Sequence, residues 1–497
     1  MYSKYNRNSE PWDEIENTET IETPGGKYWR QIDESIDLPS INLDEYDLKE
    51  DDAGRLMVDL FLNWIRFNTT DNSFMIWTGT HWTPDKWKLG ERMAAVTAKT
   101  FQKGLADAGR SSLKEYAYFV SRIRSASGAR ALLFYASSDP RITTSAEDYD
   151  RFDDLLNTPT GTVELETGNI REHRREDLLT KITTVSPARN EATKYFNNFL
   201  DKITIGREDL KKALQRFLGS GCSGRSPKEA FGAHYGGGQN GKTVLLESVH
   251  DVLGGYASTL DIKSLSLGER QSTGHQDDIA SLAGVRYVLS AESGQGIRLD
   301  EAKVKKYTGG DTIPVSRKHG RTFNMKPCFT LSILTNNKPR IAENNKGIWR
   351  RVLLFPYDYE IPDKERDKFF KNKMLNEDAG YILQWLIDGA KDWYANNTFN
   401  EFSTVINATN EYRKEEDVIG RFIDEVCSIE SNVEIQARKL REAYEKWCNE
   451  NSERPFSGRA WSKALEEHGL TRKHTKTGKI WQGICLQENF EEMDIPF

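Results

Sequence analysis

An α/β fold with a parallel sheet around a phosphate-binding loop is what this sequence predicts, and three observations predict it. Four short apolar runs, FGAHY (Phe231–Tyr235), VRYVLSAE (Val285–Glu292), FTLSILTN (Phe329–Asn336) and RVLLFPY (Arg351–Tyr357), alternate with helical patterns. Their apolarity is continuous, as strands buried on both faces require. The first run leads straight into Gly236-Gly237-Gly238-Gln239-Asn240-Gly241-Lys242-Thr243, which fits GxxxxGK[ST]. After it, Thr243–Leu253 reads as a helix closed by Gly254-Gly255.

Along the rest of the chain, residues 1–50 hold thirteen Asp or Glu against five Lys or Arg. With few apolar residues and no period, 1–52 reads as an acidic arm or linker. Phe74–Asp85 reads as two short strands about a Gly-Thr turn, followed by helical spacing over Glu91–Ala108 and Ser112–Ser125. Thr162–Ile170 reads as a hairpin, so 53–200 forms a mostly helical N-terminal domain with small β elements. The core itself spans 201–362, and a helical segment follows over 363–415. Helical segments over Glu416–His468 and a basic hairpin at His474–Leu486 predict a winged-helix-like domain over 416–497.

Bulk properties narrow the class. The 497 residues are 37% hydrophobic and 29% charged, in the range of globular chains. No run of about eighteen apolar residues occurs, so no membrane partner is expected. Five cysteines are scattered without a CxxC pair, which predicts free thiols in a reducing, cytoplasmic setting and no zinc site. A net charge of −7 excludes a uniformly basic nucleic-acid binder. Thr312–Ala342, however, holds six Lys or Arg and no acid, so a nucleic acid would be gripped locally.

Each part of the loop has a physical duty. Its glycines, Gly236, Gly238 and Gly241 among them, let several N–H groups turn onto one phosphate, and Asn240 completes the loop. The helix N-terminus adds its positive dipole end. Lys242 is expected to reach the β and γ phosphates of ATP, and Thr243 to ligate Mg²⁺ through its hydroxyl. Hydrolysis also needs an acid beside the metal. Glu292, at the carboxyl end of the second run, is the candidate for metal and water, and whether it does both is open. Asn336 closes the third run, where an amide could orient water or sense the γ-phosphate, although Asn-Asn-Lys-Pro is also simply a turn. Arg350 and Arg351 open the fourth run and are candidates for an arginine finger.

These pieces, in this order, resemble superfamily 3 helicases, specifically the phage and poxvirus primase-helicase family. The matching features are the NGKT loop, VRYVLSAES, KKYTGGDTIPVSRKHGRTF, LTNNKPRI and GIWRRVLLFPY, with weaker similarity in LLNTPTGTVELETGNIREH. The resemblance implies an AAA+-like ATPase core, hexameric rings and 3′ to 5′ movement on single-stranded DNA. It also places Glu292 in the Walker B motif, Asn336 at sensor 1 and Arg350 ahead of Arg351 as the finger. Arg317, Lys318 and His319 fall at the tip of the hairpin that reads DNA in the family. A lysine there tracks phosphate and a histidine packs on sugar or base. The fifty residues ahead of the helical region are too few for a primase-polymerase domain, so primase activity is not expected and a separate primase or other replication protein would supply it.

Three functions compete: a replicative helicase of a phage, plasmid or mobile element; an ATP-dependent DNA-binding initiator or remodeller without processive unwinding; and a nucleotide-switched assembly protein. The acid-free Thr312–Ala342 stretch and the basic C-terminal hairpin disfavour the third.

Overall fold

The computed structural model describes residues 39–104, 113–188, 193–225, 229–267, 278–291, 298–316, 322–341, 346–475 and 478–487. The chain divides into two units, residues 1–151 with 173–181, and 152–172 with 182–497. Among the described residues no helix is long and apolar enough to cross a membrane, and no cluster of His, Cys, Asp or Glu could hold a metal ion. All five cysteines are free.

The first unit packs four helices with a small sheet. Helix α1 (Glu50–Phe61) buries Ala53, Leu56, Met57, Leu60 and Phe61, the i, i+3, i+4, i+7 stripe of an amphipathic helix. Strands β1 (Ile65–Asn68), β2 (Ser73–Trp77) and β3 (Trp82–Pro84) pair antiparallel about the expected turn. Helices α2 (Leu89–Gly104), α3 (Leu113–Ile123) and α4 (Ala126–Ser137) follow, and β4 (Thr143–Thr144) joins β1 in parallel. Gly54 lets α4 lie close against α1, since a Cβ there would come within 2.6 Å of the Tyr135 Cβ.

The second unit begins with a three-stranded meander, β5 (Leu155–Thr158), β6 (Gly161–Glu164) and β7 (Asn169–Arg171). This hairpin, read from sequence within the N-terminal block, groups with the second unit. Helices α5 (Phe196–Thr204) and α6 (Glu208–Ser220) lead to β8 (Phe231–Tyr235), α7 (Lys242–Leu253), β9 (Ala257–Thr259) and β10 (Tyr287–Ala291). Then come α8 (Glu301–Thr308), the antiparallel pair β11 (Ile313–Ser316) and β12 (Thr322–Met325), β13 (Thr330–Thr335), α9 (Lys346–Trp349) and β14 (Val352–Pro356).

Five of these strands form one fully parallel sheet in the order β14-β8-β13-β10-β9. Each expected run is a strand within two residues of its boundaries, and β9 is an edge strand of three residues that no apolar run announced. Alternate residues point to opposite faces. Phe231, Ala233, Val288, Leu331, Ile333 and Val352 face one core, while Tyr287, Leu289 and Phe355 face another that receives α5, α6, α7 and the long helix α10 (Phe370–Asn396). Leu331 and Ile333 are both fully buried, worth about 1.5–3 kcal/mol each relative to exposure. Two glycines let α6 and α10 cross closely: a Cβ on Gly219 would meet the Ala390 N–H at 2.5 Å, and one on Gly389 would overlap the Gln215 carbonyl.

Helix α11 (Ser403–Glu416) packs beside β14. The chain then runs α12 (Val418–Val426), β15 (Cys427–Gln436), α13 (Ala437–Glu450), α14 (Gly458–Glu467), β16 (Thr471–Thr475) and β17 (Gly478–Leu486). Its sheet order is β15-β17-β16, and its core is aromatic: Phe422, Tyr444, Trp447, Trp461 and Trp481 are all buried. The helical segments expected over Glu416–His468 are α12, α13 and α14, and between the first two runs β15, a strand of ten residues not expected from the sequence. It lacks an alternating apolar pattern, burying little beyond Cys427 and Ile435, and is held by its pairing with β17 across a bulge between Ile429 and Glu434.

Candidate functional site

The loop between β8 and α7 has the backbone its sequence requires. Gly238 and Gly241 take φ of +107° and +78°, conformations that glycine adopts without strain, and Gln239 follows them at +54°. A Cβ on Gly237 or Gly238 would meet nothing within 4 Å, so neither position is packed against the rest of the protein. By contrast, a Cβ on Gly236 would overlap the Asn240 amide, and one on Gly241 would come within 2.6 Å of Ile203. Asn240 is buried and donates from Nδ2 to the Tyr357 carbonyl at 3.2 Å, which ties the loop to the end of β14. Ile361 N–H donates to the Gln239 carbonyl at 2.9 Å.

Lys242 is the first residue of α7 and is 3% exposed. Its ammonium donates to the Gly236 carbonyl at 2.9 Å, to Asn240 Oδ1 at 3.2 Å and to Asn336 Oδ1 at 2.6 Å. Burial lowers its pKa from the ordinary lysine value. Thr243, one residue on, is exposed with its side chain available to a metal.

Asn336 is exposed and follows β13, whose last residue Thr335 lies opposite Tyr235 of β8. Ala291 ends β10 opposite Leu334. The loop, Asn336 and the end of β10 therefore share the carboxyl edge of the sheet. Glu292, the residue after Ala291, lies outside the described residues. So do Arg317, Lys318 and His319, in the stretch that joins β11 to β12; the flanking strands pair up to Ser316 and Thr322, whose hydroxyls are 2.9 Å apart.

The two arginines sit at the opposite edge. Val352 lies opposite Phe231 and Pro356 opposite Tyr235, so Arg350 and Arg351 precede β14 at the amino end of the sheet. At about 3.3 Å per residue, Arg350 is about 20 Å from its own phosphate loop. Their surroundings differ. The Arg351 side chain is 7% exposed, donating to the Gly347 carbonyl at 3.0 Å and pairing with Glu229 at 3.0 Å. Arg350 is 62% exposed and pairs with the same Glu229 oxygen at 2.5 Å. Glu229 holds a left-handed φ of +65°, uncommon for a residue with a side chain. Sequence reasoning missed Glu229, which lies 121 positions before Arg350 and meets it only because β8 and β14 are neighbours.

His234 was also missed. It is fully buried in β8, stacked on Phe355 with ring centroids 4.9 Å apart and planes 10° apart. Nδ1 is 3.0 Å from the Tyr357 hydroxyl and Nε2 3.2 Å from Ser332 Oγ, so one imidazole bridges β14 and β13 just beneath the loop. Burial, with the Lys242 charge adding to it, pushes its pKa down to about 3.

Comparison with known proteins gives two domain matches. A family described as "D5 N terminal like" matches residues 54–205, and a family of unknown function (DUF5906) matches 234–351. "Putative helicase L207/L206" of Acanthamoeba polyphaga mimivirus is 25% identical over 318 residues, 60% of this chain and 33% of that protein. "Putative helicase 022R" of Frog virus 3 is 24% identical over 260 residues, 49% of this chain and 26% of that protein. A protein of African swine fever virus named "Putative primase" is 25% identical over 281 residues, 53% of this chain and 29% of its own length. The alignments with these relatives thus span about a third of their length or less. The apo structure of the NrS-1 C-terminal region (305–718) superposes with a TM-score of 0.48 at 12% identity, over 88% of this chain and 100% of that one. The D5 N-terminal-like match, together with relatives named for helicase and primase in large DNA viruses, is consistent with a D5-like primase-helicase family.

Proposed function

We propose that the second unit is an AAA+-like P-loop ATPase of the superfamily 3 type, which binds ATP and Mg²⁺ and uses hydrolysis to move on single-stranded DNA. One observation carries this reading: Lys242 of the phosphate loop and Asn336 of β13 meet at the carboxyl edge of a parallel sheet. Numbered along the chain, the strands of that sheet run 5-1-4-3-2, the order of AAA+-like cores, with the loop after the first and the asparagine after the fourth. The space left open beside Gly237 and Gly238 leaves room for a phosphate group at the loop amides.

Bound ATP with its Mg²⁺ supplies the phosphoryl group and the charge that polarises it. The chain's own groups do the rest. The loop amides and the N-terminus of α7 hold the phosphates. Lys242 exchanges a carbonyl and two amide oxygens for phosphate oxygens, Thr243 takes the metal, and Asn336, released from Lys242, orients water. Glu292 is assigned to water activation and to the metal. Arg350 lies too far from its own loop to serve it, and its side chain is 62% exposed although paired with Glu229, which supports a finger acting on a neighbouring subunit in a ring, a hexamer by resemblance. Arg351 is buried and supports the fold. Arg317, Lys318 and His319 are assigned to DNA. The helix-strand-helix-helix-strand-strand order over 418–486 supports a winged-helix-like domain.

The test is ATP turnover with and without single-stranded DNA, followed by strand displacement. The expected result is turnover stimulated by DNA, and displacement of a paired strand that requires ATP. Lys318→Ala with His319→Ala should lose the stimulation while ATP still binds with unchanged affinity. Stimulated turnover without displacement would favour an initiator or remodeller. Turnover indifferent to DNA would sink the motor reading.

A further inference from the structure

The chain is acidic overall at −7, yet from His468 to Gln487 it holds four Lys or Arg and no Asp or Glu. Thr471, Arg472, Lys473, His474 and Thr475 of β16 are all exposed, as is Lys479 across the hairpin. Residues opposite each other in an antiparallel pair share a face. His474 lies opposite Lys479 and Arg472 opposite Trp481, so Arg472, His474 and Lys479 share one face of the hairpin with the buried Trp481, while Lys473, opposite Ile480, lies on the other face. Arg472 donates from Nη1 to Ser462 Oγ at 3.4 Å, which sets this face beside α14.

Helix α14 buries Trp461, Ala464 and Leu465 against Phe422, Tyr444 and Trp481. At 100° per residue, Arg459 and Lys463 then point directly away from that core. Both are exposed, Lys463 with 74% of its side chain. The acids of the helix, Glu466 and Glu467, fall in its last turn, where Glu467 lies 3.6 Å from Lys463. Glu434 lies on β15, at the far edge of the sheet, bonded to Gln482. The amino-terminal half of α14 and the hairpin thus form one basic surface.

We propose that this surface binds double-stranded DNA, with α14 entering the major groove amino end first and the hairpin lying along the adjacent backbone. A helix fits the roughly 12 Å major groove of B-form DNA, and Arg459 and Lys463 would present their charges there. Arg472 and Lys479 neutralise phosphates. A single strand is disfavoured, because strand binders stack bases on exposed aromatics. The aromatic side chains of α14 and the described hairpin are Trp461 and Trp481, 4% and 1% exposed and turned into the core. Duplex RNA is disfavoured because its deep, narrow major groove excludes a helix. The site stands whether or not the phosphate loop drives a motor.

The test uses the full chain and a labelled DNA duplex, read by fluorescence anisotropy across a salt series. Arg472→Ala with Lys479→Ala should weaken duplex binding at least about tenfold and flatten the salt dependence by about 0.9 in log–log slope for each phosphate no longer neutralised. Arg459→Ala with Lys463→Ala should weaken it similarly. ATP affinity and the far-ultraviolet circular dichroism should not change in either variant. Unlabelled duplex DNA should compete better than single-stranded DNA or duplex RNA. Unchanged duplex affinity in both variants would overturn the proposal, and so would equal competition by single strands or RNA duplex that is lost in the same variants.

Discussion

Lys242 and Asn336 meet across the carboxyl edge of the sheet, Nζ to Oδ1 at 2.6 Å, although 94 residues separate them in the chain. The lysine is buried, and the asparagine is one of three oxygens that hold its ammonium. On the proposed function, a phosphate bound in the loop would replace that bond and so free the amide.

This makes Asn336→Ala informative. The variant removes a partner of Lys242 that the phosphates replace, so ATP affinity should stay within about threefold. Turnover should fall by about 10²-fold, the scale of deleting one polar group aimed at a developing charge. Equilibrium binding of ATP and steady-state turnover separate the two effects. A large loss of affinity with unchanged turnover would make Asn336 a ground-state partner of the nucleotide instead.

Arg350 should act between subunits. Arg350→Ala and Lys242→Ala should each be inactive alone. A mixed ring, however, contains interfaces in which an intact phosphate loop faces an intact Arg350. Mixing the two proteins should therefore restore measurable ATP turnover. No recovery in assemblies shown to contain both chains would place the arginine outside the reaction. Arg351→Ala should act differently, lowering stability by about 1–3 kcal/mol, since it removes a buried side chain together with its bond to the Gly347 carbonyl and its ion pair with Glu229.

His234 gives the second unit a pH dependence with a defined sign. Its folded pKa is about 3, against an ordinary 6.5. Between those values the unfolded chain binds a proton that the folded chain refuses. Stability is therefore fully present above pH 6.5 and is lost as pH falls toward 3, by up to about 1.4 kcal/mol per pH unit. His234→Gln removes the titration. The stability gap between wild type and variant, measured by denaturant unfolding, should narrow by about 1 kcal/mol between pH 6 and pH 5. A gap constant with pH would show that His234 titrates normally.

Arg286 joins the meander to the sheet. It is 2% exposed and donates to the Leu155, Cys222 and Phe152 carbonyls at 2.7, 2.8 and 2.9 Å, with its guanidinium over the Tyr256 ring. Arg286→Met keeps the length of the side chain and strands the three acceptors. It should cost about 3 kcal/mol or more, read as a lower denaturation midpoint. A midpoint within experimental error of wild type would contradict this.

The parts of the fold written in local pattern were legible. Phe231–Tyr235 is a strand to the residue because its apolar run leads straight into glycines, and the loop after it declares itself by spacing alone. Parts held by distant partners were not. The β15 strand has few buried side chains to announce it, and pairing with β17 fixes it. Glu229 looks like any surface acid until β14 is laid beside β8. The residues alone made Arg350 and Arg351 both candidates, with Arg350 ahead only by resemblance, and it is the fold that buries Arg351 and leaves Arg350 exposed beside Glu229. Asn336 was a turn residue or a sensor from sequence, and its bond to Lys242 is what favours the second.

The most direct measurement is ATP binding by the full chain with Mg²⁺, titrated calorimetrically for wild type and for Lys242→Ala. The account expects saturable binding at one site per chain in the wild type and a loss of at least about tenfold in affinity in the variant. Saturable binding of equal strength in both proteins would mean that the nucleotide sits elsewhere, and the loop at Gly236–Thr243 would no longer explain what this protein does.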